Sequence, residues 1–72
     1  MTDDKVLKKL GKRIAELRLN KGLTQTELAY MCDFERPNLA RIEAGNTNPT
    51  YLTLLKIATS LEITMIELID ID

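Results

Sequence analysis

Apolar residues recur along this chain at intervals of three and four, the spacing of one helical face. Val6, Leu10, Ile14 and Leu17, with Leu7 beside them, form such a stripe and predict a first helix over residues 5–19. Asn20, Lys21 and Gly22 end it, since Gly suits the left-handed position that follows a helix C-terminus. Thr24 to Glu27 reads as a capping box that opens a short second helix, with Leu28, Ala29 and Cys32 facing inward. Asp33, Phe34 and Glu35 interrupt it. A third helix starts near Arg36 and Pro37, where proline is tolerated because first-turn N–H groups lack helical partners, and it stops at Ala44 and Gly45. After the turn-rich Asn46 to Pro49, Thr50 caps a fourth helix carrying Tyr51, Leu54, Leu55, Ile57, Ala58 and Leu61. Thr64 and Glu67 form a second capping box for a short fifth helix, from Met65 to about Ile69.

Five helices with short connections predict an all-α fold, and residues 1–72 read as one domain. The core must be aliphatic, because the chain holds two Tyr, one Phe and no Trp. One cysteine cannot close an intrachain disulfide, and the lack of histidine leaves too few ligands for a structural zinc site. No cofactor is expected. The charged opening from Met1 to Lys9 has no signal-peptide character, and no apolar run approaches the ~18 residues of a membrane span. The expected location is the cytoplasm, with no membrane partner.

Net charge is −1, but it is unevenly distributed. Residues 5–41 carry +5, residues 42–72 carry −4, and Asp3 and Asp4 supply the remaining −2. Such a chain can turn a positive face toward phosphates while its mean charge stays slightly negative; an ordinary solvated helix face accounts for the same pattern.

The more specific signal lies at about residues 24–45, where two short helices flank a tight turn. The second helix has basic and polar side chains at its N-terminal end, which matches a helix-turn-helix. Ala29 supplies the small residue needed where the helices cross, and Asp33 tolerates positive φ in the turn. Leu39 and Ile42 would anchor the second helix of the motif, leaving Arg36, Asn38 and Arg41 outward.

The run from Gly22 to Ala29, the segment Arg41 to Gly45, and Asn48-Pro49-Thr50 with Leu54 to Ala58 and Leu61 resemble the Cro/CI-type (xenobiotic response element, XRE) family of regulators. The likeness runs from about Leu10 to Ile69. It implies a five-helix, lambda-repressor-like DNA-binding domain that recognises double-stranded DNA. By that resemblance Gln25 would contact a backbone phosphate, Arg18 and Glu43 would form a structural ion pair, and Glu35, Arg36, Pro37, Asn38 and Arg41 would face base edges. Arg donates bidentately to guanine O6 and N7, Asn pairs with adenine N6 and N7, and Glu accepts from cytosine N4. Pro37 offers only apolar contact. Asn38 has an alternative use in local bonding to backbone. Lys5, Lys8, Lys9, Lys12 and Arg13 read as a solvated face.

The chain also departs from the family pattern. Asp33 stands where Gly is usual, Glu35 stands where a Ser, Thr or Asp cap is common, and Asn46, Thr47 and Asn48 replace basic residues after Gly45. Asn46, Thr47 and Asn48 can bond to phosphate oxygens without neutralising them, so salt dependence should be shallow for the family. One recognition helix reads few base pairs, so a homodimer is expected, with Leu52, Ile66 and Ile69 as its apolar contact surface. Ile69 could instead belong to the core and Ile71 to a frayed tail. The system served is open among antitoxin with a toxin partner, restriction-modification controller and mobile-element repressor. Two rivals are weaker. An enzyme would need a base for Cys32 or a phosphate loop, and a carrier protein would need an Asp-Ser-Leu attachment site; neither is present. A helix-turn-helix diverted to protein binding remains the alternative.

Overall fold

The computed structural model describes residues 2–71. It comprises α1 (Asp3–Asn20), α2 (Gln25–Met31), α3 (Arg36–Glu43), α4 (Tyr51–Leu61) and α5 (Met65–Leu68). The predicted order of elements is the observed one. The first helix is longer than its apolar stripe, because the Thr2 hydroxyl caps it and Asp3 and Asp4 lie favourably at its positive end. Both expected capping boxes are formed, by Thr24 with Glu27 and by Thr64 with Glu67.

Four helices end in the same way. Gly22, Asp33, Gly45 and Glu62 all have positive φ, between 58° and 76°. The N–H groups of Leu23, Phe34, Asn46 and Ile63, each one residue further on, reach back to carbonyls of Arg18, Ala29, Arg41 and Ala58. This satisfies carbonyls that a helix end otherwise leaves open. Leu23, Phe34 and Ile63 then fold onto the core. The residue after α3 is Asn46, which is polar and stays exposed.

The core joins Leu10 and Ile14 of α1, Leu28 and Ala29 of α2, Leu39 and Ile42 of α3, Ile57, Ala58 and Leu61 of α4, and Leu68 of α5, together with Cys32. The alternative in which Ile69 fills the core and Ile71 frays does not hold. Leu68 fills the core at α5, and Ile69 is 47% exposed. Ile71 packs against the core instead of fraying. Arg13 also leaves the solvated face, its Nε donating to the Glu67 carbonyl at 3.0 Å and tying α1 to α5.

Two glycines let α1 lie directly on the end of α3. A Cβ on Gly11 would sit 2.4 Å from the Glu43 carbonyl oxygen and 2.5 Å from that of Ile42. A Cβ on Gly45 would meet the Lys8 Cα at 2.7 Å, in addition to the strain of its positive φ. Backbone opposes backbone at both places, so no rotamer change can relieve an added methyl.

We therefore expect Gly11→Ala to destabilise the fold by about 1–3 kcal/mol, the usual range for overpacking. Each kcal/mol lowers the thermal midpoint by about 4–8 °C in a domain of this size. An unchanged melting curve would contradict the close approach. A second expectation concerns pH. Bonds from the Thr24 backbone and side chain hold the Glu27 carboxyl below its ordinary value of 4.5. A depressed carboxylate stabilises the fold above that value and loses its contribution as the pH falls through the lowered one. Glu27→Gln, which cannot titrate, should therefore flatten the loss of thermal midpoint below about pH 4.5 relative to the parent.

Candidate nucleic-acid interface

The Asp33 turn, with its positive φ, joins α2 to α3. The N–H of Asp33 bonds to Tyr30 O and that of Phe34 to Ala29 O, while Ala29 is 1% exposed. Leu39 and Ile42 pin α3 from within, at 0% and 7% exposure. This leaves Glu35, Arg36, Pro37, Asn38 and Arg41 in solvent along the opposite side. Glu35 occupies the cap position of α3, but its side chain makes no capping bond. Its carboxylate is thus free to face outward beside the two arginines.

The exposed side chains are organised among themselves. Arg41 Nη2 donates to Asn38 Oδ1. That bond turns the Asn38 amide so that its two N–H groups point away from Arg41. Arg36 Nη1 donates to Gln25 Oε1 at 3.4 Å. The result is a face made mostly of donors, suited to acceptor-rich partners such as phosphate oxygens or the O6 and N7 edge of guanine.

Behind this face lies a charged anchor. Arg18 Nε and Nη2 donate to the two oxygens of Glu43 at 2.8 and 3.1 Å, and Nη1 donates to Leu23 O at 2.7 Å. Both side chains are nearly buried, at 11% and 6% exposure. Gln25 Nε2 donates to the same Glu43 Oε1 at 2.9 Å. The Gln25 side chain therefore has a fixed partner inside the protein, a bond that no feature of the sequence signals.

Asn46 and Asn48 are exposed on the loop that follows α3. Asn48 helps line a concavity of about 260 Å³ together with Asn38, Arg41, Thr47, Thr50 and Thr53. Thr47, which the sequence offers with Asn46 and Asn48 as a phosphate-bonding residue, adds a hydroxyl to this surface, and Thr53, which carries no such signal, adds another. Phe34 and Ile42 supply apolar lining to the concavity.

Leu52, Ile66 and Ile69 are exposed at 68%, 79% and 47%. Tyr30, Met31, Tyr51 and Leu55 are also exposed apolar residues. Cys32 points inward, its Sγ donating to Ser60 Oγ at 3.3 Å, and burial pushes its thiol above the ordinary range. Among the described residues no group of His, Cys, Asp and Glu side chains is placed to hold a metal ion, and no helix is long and apolar enough to cross a membrane.

Comparison with known proteins meets this geometry. The helix-turn-helix family model HTH_3 matches residues 14–68. An uncharacterised HTH-type transcriptional regulator of Sinorhizobium fredii, y4dJ, is 39% identical over 62 residues, which is 86% of this chain and 80% of that protein. The restriction-modification controller protein C.AhdI from Aeromonas hydrophila superposes with a TM-score of 0.84 at 40% identity, over 86% of this chain and 94% of that one. A second controller of this kind, C.Esp1396I, gives 0.80 at 33% identity, over 89% and 87%. The matched span contains the whole unit of α2, turn and α3, with its buried anchor and its outward arginines, and the chain belongs to the XRE-type helix-turn-helix family of DNA-binding transcriptional regulators.

Proposed function

We propose that this protein represses transcription by binding a pseudo-palindromic operator in double-stranded DNA as a homodimer. The observation that carries this reading is the outward placement of Arg36, Asn38 and Arg41 on a helix whose inner side is locked by Leu39 and Ile42. An α-helix fits the major groove, and its N-terminal residues meet base edges first. Arg36 and Arg41 read guanine, Asn38 supplies its amide donors, Pro37 makes apolar contact, and Glu35 accepts from cytosine. Gln25, Asn46 and Asn48 hold phosphates on either side. A single helix covers too few base pairs for useful specificity, and Leu52, Ile66 and Ile69 give two copies an apolar surface on which to meet.

Among the systems open to such a domain, likeness to two restriction-modification controllers favours that role over antitoxin or mobile-element repressor. The family is one of regulators rather than enzymes, and the inward, protonated Cys32 thiol is a poor nucleophile.

Selection from random duplex DNA tests this directly. It should enrich two half-sites centred about 34–36 Å apart. Arg36→Ala and Arg41→Ala should each relax discrimination at a particular base pair by about 1–3 kcal/mol, roughly 5- to 150-fold. Enrichment of no motif, together with stoichiometric binding of a protein partner, would transfer the fold to protein recognition. For assembly, the doubly substituted Leu52→Lys, Ile66→Lys protein should sediment as a monomer while the parent sediments as a dimer. A dimer that survives both substitutions would place the interface elsewhere.

A further inference from the structure

The outward Arg36 and the buried Glu43 stand seven residues apart on α3, two helical turns from each other. Gln25, on the neighbouring helix, bridges them. Its Nε2 donates to Glu43 Oε1 at 2.9 Å and its Oε1 accepts from Arg36 Nη1 at 3.4 Å. We propose that Glu43 is a positioning residue for operator reading, holding the Arg36 guanidinium in place for its base through the Gln25 amide. This rests on the base-reading role assigned to Arg36 above.

The chemistry of the bridge runs in one direction. An ionised carboxylate only accepts hydrogen bonds, so it can meet the amide of Gln25 only at its NH2 end. The amide oxygen is then left on the far side, where only a donor is welcome, and Arg36 is the donor that meets it. Glu43 can impose this because it is itself immobile: its two oxygens are gripped by Arg18, and its side chain is 6% exposed. The NH2 group retains a second hydrogen. One amide orientation therefore serves Arg36 and still offers a donor to a phosphate, whereas the reversed amide would turn an oxygen toward that phosphate.

The gain is preorganisation. A long surface side chain that is already held gives up less rotamer freedom when it docks on a base edge, a cost of about 0.5–1.5 kcal/mol per immobilised side chain. That corresponds to roughly a two- to tenfold effect on discrimination at a single base pair. A phosphate contact behaves differently, since its loss weakens binding to all sequences alike.

The experiment measures affinity for the selected duplex and its single-base variants. Gln25→Met keeps the length of the side chain and leaves the Arg18–Glu43 pair in place. It should lower discrimination about two- to tenfold at the base pair that depends on Arg36. In the Gln25→Met, Arg36→Ala double variant, discrimination there should be no worse than in Arg36→Ala alone. Additive losses, or a Gln25→Met effect equal at every position, would overturn the relay while leaving base reading intact. If Arg36→Ala itself altered discrimination nowhere, the base-reading role would fall, and the relay with it. For Glu43, nuclear magnetic resonance of the unaltered free protein supplies a readout independent of folding by a variant. One Gln25 side-chain hydrogen should be protected from exchange, and an amide exchanging as freely as one in water would sink the proposal.

Discussion

The fold turns on one nearly buried charge pair. Arg18 comes from the end of α1 and Glu43 from the end of α3, 25 residues further on, and their bidentate contact joins the two helices. The guanidinium also takes up the Leu23 carbonyl, and the carboxylate also takes up the Gln25 amide, so the pair fastens the first connection and the start of α2 as well. Charges removed from water are costly unless their hydrogen-bonding capacity is met. Here it is met, and no buried side-chain nitrogen or oxygen among the described residues lacks a partner. Apolar residues of similar volume could fill the same space without loss of stability. The polar pair differs from such a filling in what it ties together: the end of α1, the connection that follows it, the start of α2 and the end of α3.

Much of the architecture was legible because its local and long-range signals agree. Thr24 and Thr64 announce helix starts by their spacing to Glu27 and Glu67, and Asp33 was recognisable as a turn residue from its tolerance of positive φ. Other features leave no trace in spacing. Glu62 adopts positive φ with no glycine to signal it, because the bond of Ile63 N–H back to Ala58 imposes the turn. Gly11 sits inside a helical pattern, where it would normally weaken the helix; only the three-dimensional contact with α3 explains it. That the core position of Ile69 stayed open as an alternative has a simple origin. On a helix of four residues, adjacent apolar side chains carry too little periodicity to say which one faces in.

The outward face of α3 was legible in its membership but not in its wiring. Residue type and helical position suffice to put Arg36, Asn38 and Arg41 outside. That Asn38 is turned by Arg41, or that Gln25 is held from within by Glu43, depends on side-chain geometry that spacing does not encode. The same holds for Thr53, an α4 residue that lines the concavity beside Asn38 and Arg41.

The close seating of α1 on the end of α3 has a consequence for how such a protein can change. Main-chain atoms of Gly11 and Gly45, with the inner side chains Leu39 and Ile42, fix where the helix lies. The residues that look outward bear none of that weight. Substitution among them can change the chemistry of the outward face without asking the scaffold to be solved again.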